Sequence, residues 1–175
     1  MLPVLLLLVG GVMLGCHPAC SQDWGAAWRL RLQARESARL LRELKNVTAH
    51  QCLWDRTDFR CPWKKGGIIQ GKQKEVTCCS PEMLRGILQL FTTEASLAAW
   101  PERALAQLLT SLMSALDTLQ EAGEQGLSCP PHLAKAIRSY FLRCSRYLKD
   151  KGYSPCSWEI VRTEMGMALS AIPLP

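Results

Sequence analysis

Apolar and small residues recur at spacings of three and four early in the chain: Ala27, Leu30, Ala34, Ser37, Ala38, Leu41 and Leu44. This period places them on one helix face and predicts a first helix over roughly residues 24–45. Arg31, Arg35, Arg39 and Arg42 fall off that stripe and form either a solvated face or a functional basic surface. From residue 46 to 79 the pattern dissolves among Pro62, Gly66, Gly67, Gly71 and scattered lysines. A connection this long with no period of its own is unusual in a compact domain and is often functional.

Ser80-Pro81-Glu82 opens a second helix, with Ser80 as its cap and Pro81 at its first position. Met83, Leu84, Ile87, Leu88, Leu90 and Phe91 make that helix apolar on most sides, which predicts heavy burial. A third starts near Pro101 and carries Leu105, Leu108, Leu112, Leu116 and Leu119 at bundle spacing. Gly123, Gly126 and the Pro130-Pro131 pair separate it from a fourth, which presents Leu133, Ile137, Tyr140, Phe141, Cys144 and Leu148. Gly152 is placed to end the fourth helix. A fifth begins at Pro155, behind Ser154 as cap, and shows Trp158, Val161, Met165 and Ala168. No convincing strand run appears, so the expected fold class is all-α. A long early crossover is what an up-up-down-down bundle requires, because parallel neighbours need an overhand connection.

The first residues, Leu2-Pro3-Val4-Leu5-Leu6-Leu7-Leu8-Val9, begin an apolar run that carries no charge before Asp23. A run this short followed by small residues reads as a secretory signal over residues 1–19, rather than a membrane span of about 20 residues. Cleavage after Gly15 or Ala19 is open; Ala19 is preferred and leaves Cys20 first. Residues 20–175 then make one domain with no expected membrane insertion. Nine cysteines behind such a signal imply an oxidising compartment and disulfides. Asn46-Val47-Thr48 is a glycosylation sequon that fits the same route. The net charge of +6 suits an acidic receptor surface or heparan sulfate.

Catalytic signatures are missing. The three histidines, His17, His50 and His132, do not pair at metal spacing, and no phosphate loop or nucleophile elbow is present. Cys61, Cys78 and Cys79 superficially suggest a zinc knuckle, but an exported chain favours their oxidation. The expectation is a non-enzyme with no metal, no cofactor and no nucleic-acid partner.

Two segments carry a specific likeness. Cys52-Leu53-Trp54-Asp55-Arg56-Thr57-Asp58-Phe59 and Tyr153-Ser154-Pro155-Cys156-Ser157-Trp158-Glu159 together resemble the type I interferons. The likeness runs from about Cys20 to Ser170. It is supported by Ala136-Ile137-Arg138-Ser139-Tyr140-Phe141, by Phe91-Thr92-Thr93 and by Ala98-Ala99-Trp100.

The resemblance implies an up-up-down-down helical cytokine bundle of five helices, disulfide-linked, with a long crossover loop. It implies a secreted ligand that bridges the two different chains of a heterodimeric receptor and starts antiviral Janus kinase/STAT signalling. The crossover and last helix would face the high-affinity chain, and the second, third and fourth helices the other. Carried over by position, the receptor contacts are Leu53 and Arg56 in the crossover and Arg162 and Thr163 on the last helix. An alternative for Arg56 is a salt bridge to Asp55 or Asp58.

The resemblance also implies that Cys52 bridges to Cys156. The family's second bridge joins the N-terminal cysteine to the end of the third helix, where this chain reads Leu119-Gln120-Glu121-Ala122-Gly123. Cys129 is then the substitute partner for Cys20, while Cys61 with Cys78 or Cys79 would cross-link the crossover. Cys144, on a core stripe, reads as a buried thiol. The chain departs from the family at Gly166 and Met167, where a large apolar residue and then a basic one are usual. Two alternatives stand beside this reading: a basic amphipathic helical protein acting on membranes through the Arg31–Arg42 face, and a type III interferon-like cytokine.

Overall fold

The computed structural model describes residues 24–63, 78–122 and 128–172, and among these every regular element is a helix. Helix α1 spans Trp24–Glu43 and buries the predicted stripe, including Leu30, Ala34, Ala38 and Leu41. It stops two residues short of the predicted end at residue 45, where the Leu44 N–H is shared between the carbonyls of Leu40 and Leu41, each at 3.3 Å.

The crossover is not featureless. A 3-10 helix, η1, occupies Ala49–Asp55, and its start is closed by the Thr48 N–H donating to Gln51 Oε1 at 3.4 Å. Helix α2 covers Ser80–Phe91. It takes in Ser80 as a buried first residue, so the expected Ser80 cap is displaced to Cys79, which caps through backbone alone. A short helix α3, Glu94–Ala99, follows at once, with Thr93 Oγ1 accepting the Ser96 N–H at 3.2 Å. Six residues are too few to show a helical period, and this element was not legible in the sequence. Helix α4 is Glu102–Ala122, α5 is Pro131–Asp150 and α6 is Pro155–Ala171.

Side-chain pairs set the helix directions. Gln33 Nε2 donates to Ser114 Oγ at 2.8 Å, and the Ser37 and Ser111 hydroxyls share a hydrogen bond of 2.8 Å, so α1 and α4 are antiparallel. Leu41 near the end of α1 meets Arg162 near the start of α6. Phe91, at the end of α2, and Trp100, just before α4, both pack on Trp158 with ring centroids 6.0 Å apart. The ends of α1 and α2 and the starts of α4 and α6 therefore share one pole. That is up-up-down-down for α1, α2, α4 and α6, with α5 running upward as the fifth helix. Trp158, Phe91, Tyr140, Met83, Ile87, Leu108 and Leu112 fill the core between them.

Two cystines lie within the described residues. Cys52 joins Cys156, with an S–S distance of 2.10 Å across 104 residues of sequence. Cys129 joins Cys79, at 2.04 Å, and not Cys20. Because α2 and α5 run in the same direction, their starts lie side by side, and Cys79 belongs to the core at the head of α2 rather than to the crossover. Cys78 is also disulfide-bonded. Cys20 and the expected signal segment lie outside the described residues. Cys144 is a buried thiol, as its place on the α5 stripe indicated.

Candidate functional site

The segment before α6 is shaped by backbone chemistry. Gly152 takes a positive φ of 60°, a conformation that costs glycine least. Its N–H donates to the Lys149 carbonyl at 3.0 Å, and the Tyr153 N–H reaches back to Leu148 at 2.8 Å. These two bonds close α5, and the chain reverses within the four residues 151–154 before α6. Ser154 then caps α6, its hydroxyl accepting the Ser157 N–H at 3.2 Å, and Pro155 occupies the first turn. Cys156 is thereby presented at a rigid helix start, where Cys52 is tied to it.

Several further bonds fasten the crossover to α5 and α6. The Tyr147 hydroxyl donates to the Asp55 carbonyl at 2.7 Å, and Lys151 pairs with the Asp55 carboxylate at 3.0 Å. Arg143 donates to the carbonyls of Phe59 and Arg60 at 2.9 and 3.2 Å. The Phe59 ring meets Tyr147 edge-on at 5.1 Å, and the Trp63 indole donates to the Ala168 carbonyl at 3.2 Å. Partial burial beside Asp55 pushes the Tyr147 phenol up to about 12.

This anchoring leaves a row of side chains outside. Leu53 is 43% exposed and Arg56 is exposed. Asp55 is engaged by Lys151, and Asp58 accepts the Arg60 N–H at 2.9 Å. Neither aspartate pairs with the Arg56 guanidinium among the described residues, so the salt-bridge alternative for Arg56 is not what forms. Trp54, which sequence reasoning did not single out, is 97% exposed. A signal was present: a tryptophan sits two residues from both a cysteine and an arginine in the crossover, and Trp and Arg dominate binding hot spots.

On α6, Cys156, Thr163 and Met167 are seven and four residues apart and share one helix face, so Thr163 lies about 10 Å below the disulfide. Thr163 and Met167 are exposed. Arg162 behaves differently from the expectation of a surface cation. It is 7% exposed, and its guanidinium grips Glu159 through two bonds of 2.7 and 2.5 Å while donating to the Leu41 carbonyl at 3.0 Å. A buried charge must be paired, and α1 and Glu159 supply the partners. Beside it, Thr163, Gly166 and Met167 line a shallow groove of about 460 Å³ between α6 and the Ala38–Arg42 stretch of α1. A Cβ added at Gly166 would meet nothing within 4 Å, so the missing side chain contributes to that groove.

Asn46 is exposed, and its Nδ2 donates to the Ala99 carbonyl at 3.1 Å. Since α1 ends at Glu43, Asn46 is not carried on a helix continuous with Leu53.

The described residues contain no group of three side chains able to hold a metal. No helix among them is long and apolar enough to cross a membrane. The Cys144 thiol is pushed up by burial, which suits packing rather than nucleophilic attack. The apolar stripe of α1 is spent on the bundle core, so it is not free to lie in a membrane surface as the amphipathic alternative requires.

A four-helix up-up-down-down core with an exposed edge tied by a disulfide to the last helix defines a helical cytokine. The chain belongs to the interferon alpha/beta family: the interferon alpha/beta domain model matches residues 27–173. Interferon alpha-1 of Bos taurus is 36% identical over 177 aligned positions, covering 98% of this chain and 94% of that protein. Interferon tau-11 of Ovis aries is 37% identical, covering 96% and 89% respectively. Among solved structures, zebrafish interferon 2 has the same fold, with a TM-score of 0.67 at 21% identity over 83% of this chain and 97% of that one. Members of this family are cytokines, not enzymes.

Proposed function

We propose that this chain is exported after removal of residues 1–19 and bridges two different interferon receptor chains at a cell surface, starting Janus kinase/STAT antiviral signalling. The observation that carries the reading is the Leu53-Trp54-Arg56 edge, held against α6 by the Cys52–Cys156 bond and left without internal partners for its outer side chains. The high-affinity receptor chain docks there, with Thr163 and Met167 extending the patch. Arg162 supports that surface from beneath by locking α6 to α1. The second chain docks on α2, α4 and α5, where Leu142 is exposed beside a groove of about 310 Å³ that Gln89 and Arg138 also line. Asn46 carries a glycan when the chain passes through the secretory route, which a mass shift on enzymatic deglycosylation detects.

The test is phosphorylated STAT in receptor-bearing cells treated with purified protein. Phosphorylation that disappears when either receptor chain is deleted supports the reading. A response that persists after such a deletion, or no response in intact cells, overturns it.

A further inference from the structure

Helix α1 and the two residues after it carry a net +4 of the chain's +6, and all of their basic side chains are exposed. Between Trp24 and Lys45 stand six basic and two acidic side chains, in a chain whose total is +6. Arg31, Arg35, Arg39 and Arg42 lie within about 80° of arc over roughly 16 Å of helix. Both carboxylates on this side are already engaged: Glu36 bonds to Arg39 at 2.6 Å, and Glu43 pairs with the same arginine. Among the described residues no carboxylate pairs with Arg31, Arg35 or Arg42. These arginines line an elongated groove of about 950 Å³, whose opposite wall is the end of α6 from Leu169 to Ile172. Trp28, 62% exposed, and Leu32, 46% exposed, border the same strip.

We infer that this groove binds a linear sulfated polysaccharide of the cell surface, at a site separate from the Leu53–Arg56 edge. Guanidinium forks match the tetrahedral oxygens of sulfate and keep their charge at any physiological pH. A row of guanidiniums facing solvent, with the local carboxylates neutralised by Arg39 of the same row, offers a repeating anion a repeating cation. The exposed Trp28 ring adds a flat apolar surface on which a sugar face stacks. The groove between α1 and the end of α6 seats a linear chain along the row of arginines. The inference does not depend on the receptor reading, because its test contains no receptor.

The experiment is binding of the full chain to immobilised heparin over a range of salt concentrations. It compares wild type with Arg31→Ser/Arg35→Ser and with Lys135→Ser/Arg138→Ser, which removes two exposed charges from α5. The α1 variant should bind about tenfold more weakly at 0.15 M salt, with the slope of log affinity against log salt reduced by about two, while the α5 variant stays near wild type. Selectively desulfated heparin should bind weakly to all three. Equal losses in both variants would reduce the effect to net charge and overturn the inference. Wild type that fails to bind at that salt would overturn it too. So would anionic phospholipid vesicles binding as tightly as heparin through the same arginines, which would assign the strip to membranes.

Discussion

The hydroxyl of Tyr147 on α5 donates to the backbone carbonyl of Asp55, 92 residues earlier in the chain, at 2.7 Å. A phenol and a carbonyl thus hold the end of η1 one residue before Arg56, on the side opposite the disulfide at Cys52. The crossover edge is pinned at both ends, and only its outer side chains face solvent.

Replacing Tyr147 with Phe should cost about 0.5–1.5 kcal/mol, the net worth of one hydrogen bond. Its pH signature is distinct. The folded phenol titrates at about 12, raised from 10.0, so the folded state holds this proton more tightly than the unfolded chain. The resulting stability is fully present below about 10 and is lost as pH rises through about 12. Ultraviolet titration of the three tyrosines should show a step near 12 that vanishes in Tyr147→Phe.

Arg162→Ala strands the Glu159 carboxylate in the interior and should destabilise the fold by about 3–5 kcal/mol in urea unfolding. The double substitution Arg162→Met/Glu159→Leu removes both charges and should recover most of that loss. If Arg162 were a surface cation, the single change would leave stability within about 0.5 kcal/mol of wild type.

Gly86 on α2 faces Phe141 on α5. A Cβ there would collide with the buried Phe141 ring, which must shift to admit it. Gly86→Ala should therefore destabilise by about 1–3 kcal/mol despite the better helix propensity of alanine. Adding Phe141→Leu should lessen the penalty in the same unfolding assay.

Gly166 presents the opposite case. Nothing lies within 4 Å of its added Cβ, and its φ is not in the left-handed region. Gly166→Ala should raise stability by about 0.5–1 kcal/mol, the difference in helix propensity. Thermal unfolding followed by circular dichroism would show it as a higher midpoint.

Much of the fold was legible because helices announce themselves through burial. The stripes on α1, α4 and α5 named core residues that the structure buries, and Ser154, Pro155 and Gly152 marked ends of α5 and α6 through local backbone chemistry. Elements whose cause is tertiary were not legible. Helix α3 is too short to show a period, and η1 depends on partners some hundred residues away. The Cys79–Cys129 bond follows from α2 and α5 running parallel, which no local spacing encodes. Arg162 illustrates the same limit at the site: its pair with Glu159 is local, but its burial against the Leu41 carbonyl comes from 121 residues away. Trp54 was visible in the motif, yet only the geometry shows its ring standing clear of the fold.

The most direct test is the equilibrium affinity of Arg56→Ala for the isolated high-affinity receptor chain, with circular dichroism confirming an intact fold. A loss of at least about 2 kcal/mol, close to thirtyfold, is the expected result for a hot-spot arginine with no internal partner. Unchanged affinity in a folded variant would contradict the claim that the clamped crossover edge is where the receptor docks.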